Sequence, residues 1–281
     1  MIKVEVKKIY LKDYYSFLGE NGCNPTLTAY IQYNMSEMKW EDRKRPTLLV
    51  CPGGGYSMCS QREAEPIAIA FMPLGMNVFV LDYSVAPNKF PTQIREVAAA
   101  MELLYEKQDE WHIDTEKITI IGFSAGGHLA AHYSTSYDIP EVREVFPQSK
   151  AVNGSILSYP VIVADKGISH VGSFNNVTGK YNLNEDDFNR FSLDRRVSEN
   201  TPPAFIWHTA EDNCVPVENA LRYAAAMSKY KRPFELHIYP LGWHGGSTFN
   251  RQALNQPTAM TEYNSRWVDE AGKWLKLMNL L

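Results

Sequence analysis

The sequence has little cysteine and no long hydrophobic run, and both shortages narrow the classes of protein it can encode. Four cysteines occur in 281 residues, and no two of them form a C-x-x-C pair. Neither a disulfide framework nor a zinc-finger pattern is therefore predicted. The longest mainly apolar stretch, residues 67–76, contains Pro73 and is much shorter than the roughly 20 residues that span a bilayer. The cysteines are Cys23, Cys51, Cys59 and Cys214, which we interpret as reduced packing residues.

Basic residues are not in excess either. Lysine and arginine total 28 against 32 aspartate and glutamate, which gives a net charge of −4. A nucleic-acid-binding protein is expected to carry a basic face, so that class is disfavoured. The first eight residues alternate charged and apolar side chains and lack the apolar core of a signal peptide. We therefore expect a reduced, cytoplasmic protein that binds neither nucleic acid nor membranes.

What the sequence does contain is an alternation of short apolar runs with longer helical patterns. Hydrophobic residues make up 44% and charged residues 21%, a balance typical of a globular enzyme. The predicted strands are residues 3–10, 26–33, 47–51, 77–81, 118–121, 152–159, 204–208 and 234–239. The predicted helices are residues 61–74, 92–108, 126–135, 217–230 and 265–278. This alternation predicts an α/β fold, with helices on both faces of a mainly parallel sheet.

Two regions depart from the alternation. Residues 1–40 contain segments of period 2, so we expect them to supply strands at a sheet edge. Residues 164–200 are polar, with few periodic apolar positions, and are long for a bare loop. We interpret them as an insertion with small helices of its own. Residues 1–281 are accordingly expected to form a single domain.

The sequence G-F-S-A-G at residues 122–126 directly follows a predicted strand and directly precedes a predicted helix. In a nucleophile elbow, a serine occupies a strained strand-to-helix turn, and glycines two residues away on either side avoid a collision. A glycine-rich turn with no catalytic role is the alternative. The strand before and the helix after favour the elbow, which makes Ser124 the candidate nucleophile.

A serine nucleophile needs an orienting acid and a base, which on an α/β sheet follow it in that order. Of seven histidines, only His244 lies in a Gly-rich loop beyond the last predicted strand. The acid is expected after the preceding strand, where Glu211 and Asp212 both occur. We favour Asp212, with Glu211 as the alternative. Either acid could also cap the helix that follows.

Three glycines follow the predicted strand 47–51, in the sequence C-P-G-G-G-Y at residues 51–56. Glycines let backbone N–H groups approach a developing oxyanion. A phosphate-binding loop is the alternative, but the pattern G-x-x-x-x-G-K-[ST] is absent. His128 and His132 have the i, i+4 spacing of metal ligands, yet the glutamate of H-E-x-x-H is missing, so no metal site is predicted.

Together these segments resemble an α/β-hydrolase esterase, most closely bacterial acetyl esterases, xylan-esterase-like proteins and "sugar hydrolases". The matching segments are P-G-G-G-Y at 52–56, D-Y-S-V-A-P at 82–87, G-F-S-A-G-G-H at 122–128, Asp212 followed by Val215-Pro216, and His244-Gly245. The resemblance covers about residues 40–280. It implies the α/β-hydrolase fold, a three-layer α/β/α sandwich with a mostly parallel eight-stranded sheet. It also implies a small cap after the sixth strand, which matches residues 164–200.

The resemblance implies roles for individual residues and no cofactor. Ser124 is the implied nucleophile, His244 the base and then the acid, and Asp212 the residue that orients His244. The implied oxyanion donors are the backbone N–H groups of Gly54, Gly55 and Ala125. Pro52 stands where the family pattern H-G-G-G has histidine, so the side-chain contact that fixes this loop elsewhere is lost.

The function that this resemblance implies is hydrolysis of a short acyl ester, such as the acetyl group of an acetylated sugar or xylo-oligosaccharide. Tyr56 and Trp243 are candidate substrate-binding residues because aromatic rings stack on sugars, although ordinary packing would also explain them. A serine peptidase of the prolyl-oligopeptidase type is an alternative function. A non-catalytic binding module of the same fold is another. The expected partner is a small-molecule ester, and a homodimer is left open.

Overall fold

The computed structural model describes residues 4–165 and 167–281. Lys3, the first residue of the first predicted strand, lies outside this range, as does Lys166 in the predicted insertion. The first three positions of the N-terminal segment tested above for a signal peptide also lie outside the described residues.

The described residues form eight strands in one sheet. Their bounds are Val4–Tyr10 (β1), Thr26–Gln32 (β2), Arg45–Cys51 (β3), Asn77–Asp82 (β4), Ile113–Phe123 (β5), Gly154–Ser158 (β6), Ala204–Thr209 (β7) and Phe234–Tyr239 (β8). The spatial order is β1-β2-β4-β3-β5-β6-β7-β8. β2 pairs antiparallel with β1 and β4, whereas the pairings from β4 across to β8 are parallel. The carboxyl ends of β3 to β8 therefore meet at one edge of the sheet.

Nine α-helices accompany these strands in the described part of the chain. They are Glu65–Phe71 (α1), Thr92–Glu106 (α2), Ala125–Ser136 (α3), Pro140–Arg143 (α4), Val171–Thr178 (α5), Glu185–Phe191 (α6), Glu218–Lys229 (α7), Ala259–Ser265 (α8) and Trp267–Leu277 (α9). None of the helices in residues 4–165 and 167–281 has the length and apolar character needed to cross a membrane.

The sheet is buried on both faces because its central strands carry apolar side chains at successive positions. Leu48 and Val50 of β3 point into one hydrophobic cluster, which α1 and α9 complete. Leu49 and Cys51 point into a second cluster, which α2, α3 and α7 complete. Successive side chains of a strand face opposite sides of the sheet, so each apolar strand serves two cores. The three-layer α/β/α architecture predicted from the alternation is thereby confirmed.

The elements follow the sequence predictions closely, with two corrections. β5 begins at Ile113 rather than at residue 118, and residues 114–117 are polar and only partly buried or exposed, which weakened the apolar signal. The predicted helix 61–74 is wrong as one element. It is divided into a 3₁₀ turn at Gln61–Glu63, α1, and a 3₁₀ turn at Met72–Leu74. Pro66 and Pro73 lack the N–H that a continuous helix requires.

The polar stretch 164–200 lies between β6 and β7, the sixth and seventh strands along the chain, as the resemblance implies. Its described residues form α5, α6 and a 3₁₀ turn at Leu193–Arg195. α6 begins with a capping box, in which Asn184 and Asp187 each accept a hydrogen bond from the other's backbone N–H. Asn219 of α7 fixes the entry to this stretch, because its side-chain oxygen accepts hydrogen bonds from the N–H groups of Ile162 and Val163.

Candidate active site

Ser124 occupies the turn between β5 and α3. Its backbone has φ 54° and ψ −120°, a region that side-chain-bearing residues rarely adopt and that costs about 1–3 kcal/mol. The backbone N–H of Ser124 donates to the carbonyl of Ser158 at 3.0 Å, which ties the turn to β6. The strained turn places the hydroxyl group beyond the end of β5, where a substrate can reach it.

The two glycines of the elbow are required by close backbone contacts. A Cβ atom on Gly122 would lie 2.1 Å from the carbonyl oxygen of Gly126. A Cβ atom on Gly126 would lie 2.1 Å from the carbonyl oxygen of Cys51 on β3. Neither position has room for a side chain, so this helix can approach the sheet only with glycine at both sites.

His244 lies between Ser124 and Asp212 in the loop that follows β8. Its Nε2 is 2.7 Å from Ser124 Oγ, and its Nδ1 is 2.6 Å from Asp212 Oδ2. A carboxylate only accepts hydrogen bonds, so Nδ1 carries the proton and the lone pair of Nε2 faces the serine hydroxyl. The arrangement meets the geometric requirement for a nucleophile, a base and an orienting acid.

Asp212 is buried and held as an anion. Burial by itself raises the pKa of this carboxyl, but hydrogen bonds from His208 and His244 and from the backbone of Val215 hold the pKa well below its ordinary value. Its Oδ1 accepts from the N–H groups of Cys214 and Val215, at 2.9 and 2.8 Å. The alternative acid, Glu211, instead faces the N–H of Gly242 at 3.4 Å. The geometry therefore favours Asp212 over Glu211.

The glycine loop after β3 lies against the elbow. Gly54 and Gly55 have φ values of 125° and 64°, which only glycine adopts without strain. Within residues 4–165 and 167–281, the N–H groups of Gly54, Gly55 and Ala125 have no acceptor among the loop hydrogen bonds. These three amides are therefore unengaged among the described residues.

Three hydrogen bonds with other parts of the chain hold the glycine loop around Pro52. The hydroxyl of Tyr83 donates to the carbonyl of Pro52 at 2.6 Å. The N–H of Gly53 donates to the buried carboxylate of Glu63 at 2.8 Å. On the other side, the amide of Asn176 in α5 donates to the carbonyl of Gly55 at 2.8 Å. The loop is thus held by residues before α1, after β4 and in α5.

A cleft of about 180 Å³ opens over the triad. It is lined by Gly54, Gly55, Met58, Ser60, Arg62, Glu63, Ser124, His170, Cys214, His244 and Gly245. His170 comes from the inserted stretch, where it caps α5 and accepts a hydrogen bond at Nδ1 from the N–H of Ser173. The insertion therefore contributes directly to the wall of the cleft.

The structure does not bring Tyr56 to the cleft, so the prediction of a direct substrate contact is corrected. Tyr56 is 1% exposed, and its hydroxyl lies 2.8 Å from Nδ1 of His128 in α3. The Nε2 of His128 lies 3.0 Å from the carbonyl of Phe191. Tyr56 therefore ties the glycine loop to the helix behind Ser124, and both ring nitrogens of His128 are engaged in packing contacts.

Trp243 directly precedes His244 and is 44% exposed. Its ring packs edge-on against Phe249, with 5.6 Å between ring centroids. Trp243 does not line the cleft over the triad, so its role in binding substrate stays a prediction.

Sequence reasoning missed Glu63, Tyr159 and His170. Tyr159 follows β6 directly, and its hydroxyl donates to Glu63 Oε1 at 2.6 Å. Glu63 gave no signal, because its neighbours Gln61, Arg62 and Glu65 are polar or charged as well. His170 gave none, since it lay in the polar stretch whose conformation no pattern specified. Their importance comes from contacts between residues far apart in the chain, which periodicity does not report.

Comparison with known proteins finds relatives that are named as a xylanase and as an esterase. The chain is 35% identical over 254 residues to endo-1,4-beta-xylanase B of Butyrivibrio fibrisolvens, covering 87% of this chain and 38% of that protein. It is 32% identical over 232 residues to an acetylxylan esterase of Xylanibacter ruminicola, covering 80% of this chain and 44% of that protein. The chain thus spans less than half the length of these two relatives.

Solved structures match over nearly the whole chain. An acetyl ester-xyloside bifunctional hydrolase from Caldicellulosiruptor lactoaceticus superposes with a TM-score of 0.84 at 32% identity, covering 98% of this chain and 97% of that one. These matches confirm the α/β-hydrolase fold. A family model described as BD-FAE matches residues 35–227. The chain belongs to the BD-FAE family of α/β hydrolases.

Proposed function

We propose that this protein is a serine carboxylic-ester hydrolase that releases a short acyl group, acetyl in particular, from acetylated xylo-oligosaccharides or related sugars. The observation that carries the proposal is the continuous chain of contacts from Ser124 Oγ through His244 to Asp212, beside three unengaged backbone amides. The relatives named for esterase activity on xylan and xylosides support the substrate class.

Acylation begins at the hydroxyl of Ser124. Its oxygen attacks the ester carbonyl while Nε2 of His244 takes the proton, and Asp212 stabilises the imidazolium that forms. The carbonyl oxygen becomes an oxyanion, which the N–H groups of Gly54, Gly55 and Ala125 stabilise. His244 then gives the proton to the departing alcohol oxygen. The products of this half-reaction are the free alcohol and an acyl ester on Ser124.

Deacylation repeats the same steps with water. His244 removes a proton from a water molecule, whose oxygen attacks the acyl carbonyl, and the same amides stabilise the second oxyanion. Collapse of this intermediate returns the proton to Ser124 and releases the carboxylic acid. No group outside the protein and water is needed to balance the reaction.

The size of the cleft favours a short acyl group. Its volume of about 180 Å³ is smaller than the roughly 300–1,000 Å³ of sites that enclose drug-sized ligands. The rest of the alcohol then extends past the rim, where residues 164–200 act as a cap. We include in this proposal a role for His170 in contacting the alcohol and for exposed Trp243 in stacking on a more distant sugar.

We further propose that residues 1–281 form one catalytic domain that works in the cytoplasm. Support for a reducing compartment comes from the cysteines, all four of which are free. The protein acts as a monomer in this proposal, and a homodimer is the alternative. Light scattering of the purified protein would distinguish the two.

The test is turnover of acetyl esters by Ser124→Ala. We expect kcat for 4-nitrophenyl acetate and for acetylated xylo-oligosaccharides to fall at least ~10³-fold, since the covalent step requires the hydroxyl. Ser228→Ala, on the exposed side of α7, is the matched control and should keep wild-type activity. A folded Ser124→Ala protein with near wild-type turnover would refute the assignment. Faster cleavage of an aminoacyl 4-nitroanilide than of acetyl esters by the wild type would instead favour the peptidase.

A further inference from the structure

Glu63 is a buried acid at the cleft that the Ser-His-Asp arrangement does not use. It ends the 3₁₀ turn Gln61–Glu63, lines the cleft, and is only 2% exposed. Buried carboxylates without hydrogen bonds are costly, so the partners of Glu63 indicate what the fold uses it for.

The two carboxylate oxygens of Glu63 accept hydrogen bonds from two different parts of the site. Oε2 accepts from the N–H of Gly53 at 2.8 Å, next to the proposed oxyanion donors. Oε1 accepts from the hydroxyl of Tyr159 at 2.6 Å. The oxygen of that hydroxyl in turn accepts from the N–H of Ser247 at 3.0 Å, in the loop that carries His244.

Tyr159 also touches the catalytic imidazole directly. Its ring and that of His244 meet edge to face, with 5.0 Å between centroids. Its backbone has φ 36° and donates its N–H to the carbonyl of Trp207 at 2.7 Å, so the ring is held from both ends. The chain of contacts therefore runs from the glycine loop through Glu63 and Tyr159 to the flank of His244.

Only the carboxylate form of Glu63 satisfies these contacts together. The N–H of Gly53 and the hydroxyl of Tyr159 both donate toward it, and the Tyr159 oxygen already receives the Ser247 N–H. Burial raises the pKa of Glu63, and the hydrogen bonds from Tyr159 and Gly53 and the charges of Arg62 and His244 oppose that rise. An amide at position 63 would turn an N–H₂ group toward one of the two donors.

We infer that Glu63 is a positioning residue, which through Gly53 and Tyr159 keeps the oxyanion loop and the His244 loop at the correct separation. This inference rests on the proposed function, because it concerns the geometry of the same site. Removing the carboxylate should lower the rate of the chemical steps rather than the affinity for substrate. Displacements of about 1 Å in such sites can cost ~10²-fold in rate.

The variants that test it are Glu63→Gln and Tyr159→Phe, with Glu96→Gln as the matched control. Glu96 is another fully buried glutamate, which accepts the N–H of Ser84 at 2.7 Å. We expect kcat for 4-nitrophenyl acetate to fall ~10–100-fold in the first two variants, with KM within about twofold of wild type. The control should retain wild-type kcat and KM at a temperature where all proteins are folded.

A second readout separates this inference from the proposed function. The rate at which a fluorophosphonate labels Ser124 depends on His244 and the oxyanion loop but not on the natural ester. Labelling should slow by a similar factor of ~10–100 in Glu63→Gln and Tyr159→Phe only. If the wild type is labelled but hydrolyses no acyl ester, the proposed function fails while the labelling rates still decide the role of Glu63.

Two results would overturn the role of Glu63. One is wild-type labelling by both variants. The other is an equal loss in Glu96→Gln. If Glu63→Gln does not fold, the inference is decided by Tyr159→Phe alone, because this variant removes one hydroxyl and keeps the ring.

Discussion

His170 presents to the cleft an imidazole ring whose charge and hydrogen-bonding role are fixed by its surroundings. Its Nδ1 accepts the N–H of Ser173, so the ring proton is on Nε2. Burial first, and then the charge of His244, lower the pKa of His170, while Asp212 opposes this. The ring is therefore a neutral donor. Its Cε1 would lie 3.9 Å from a Cβ atom at Gly55, which places it beside the proposed oxyanion loop.

We expect His170→Phe to lower kcat/KM for an acetylated xyloside ~10-fold relative to 4-nitrophenyl acetate. The reason is that a lost hydrogen bond of about 1–1.5 kcal/mol affects only an alcohol that carries hydroxyl groups. Kinetics on both esters check this. Val171→Ala, at the exposed next position, is the control and should leave the ratio of the two substrates unchanged. Equal losses on both esters in His170→Phe would contradict a contact with the alcohol.

The sequence alone could identify the three triad candidates, because their roles follow from their order in the chain and from their positions directly after strands. Ser124, Asp212 and His244 each follow a strand of one parallel sheet, and the structure brings their side chains together. Glu63 and Tyr159 could not be paired in this way, because 96 residues separate them and neither lies in a recognisable motif. Tyr56 was misassigned because an aromatic residue after a glycine loop fits both a core and a cleft, and only packing decides between them.

At the scale of elements, the elbow depends on the close approach of α3 to β3. A Cβ atom at Gly126 would meet the carbonyl oxygens of Cys51 and Pro52 at 2.1 and 2.3 Å, and these backbone atoms cannot move independently of the sheet. Overpacking against fixed atoms typically costs 1–3 kcal/mol or more. The same contact holds the glycine loop near Ser124.

Gly126→Ala should therefore lower the free energy of unfolding by roughly 3 kcal/mol or more, or prevent folding. Gly172→Ala in α5 is the control, since a Cβ there meets only the His170 ring, at 3.7 Å. Alanine is favoured over glycine in helices by about 0.5–1 kcal/mol, so this variant should be neutral or slightly stabilised. Urea unfolding measures both. Equal free-energy changes would mean that the close contact does not limit stability.

The boundaries of helices were predictable where the apolar periodicity and the helix-breaking residues indicate the same limits. α2 and α7 carry long amphipathic patterns and lie close to their predicted ranges. The segment 61–74 has a helical apolar pattern, but Pro66 and Pro73 divide it. A pattern of side chains reports which face is buried, and the backbone donors decide whether the helix is continuous.

At the scale of the whole molecule, sequence predicted the layers but not the order of the strands. β4 lies between β2 and β3, and the chain then crosses β3 to add β5 on its far side. This order depends on how the helices between strands pack, which single apolar runs do not specify. The site nevertheless followed from the sequence, because its residues occur at carboxyl ends that any parallel order brings to one edge.

The stability of the whole molecule should depend on pH through Glu96. This residue of α2 is fully buried, and its Oε1 has no hydrogen-bond partner within residues 4–165 and 167–281. Burial raises the pKa of Glu96 from 4.5 to about 7, partly offset by hydrogen bonds from Ser84. The folded protein thus binds this proton more tightly than the unfolded chain. The stabilising effect of the bound proton is complete below about pH 4.5 and is lost as the pH rises through 7.

Glu96→Gln should consequently stabilise the protein more at pH 8 than at pH 5. The amide keeps an acceptor for the N–H of Ser84 and carries no charge, so it removes a cost on the order of 3 kcal/mol at pH 8 but only about 1 kcal/mol at pH 5. Urea unfolding at the two pH values measures the difference. Glu106→Gln, at the exposed end of the same helix, should change stability little at either pH. A pH-independent effect of Glu96→Gln would mean that this carboxyl titrates as an ordinary surface acid.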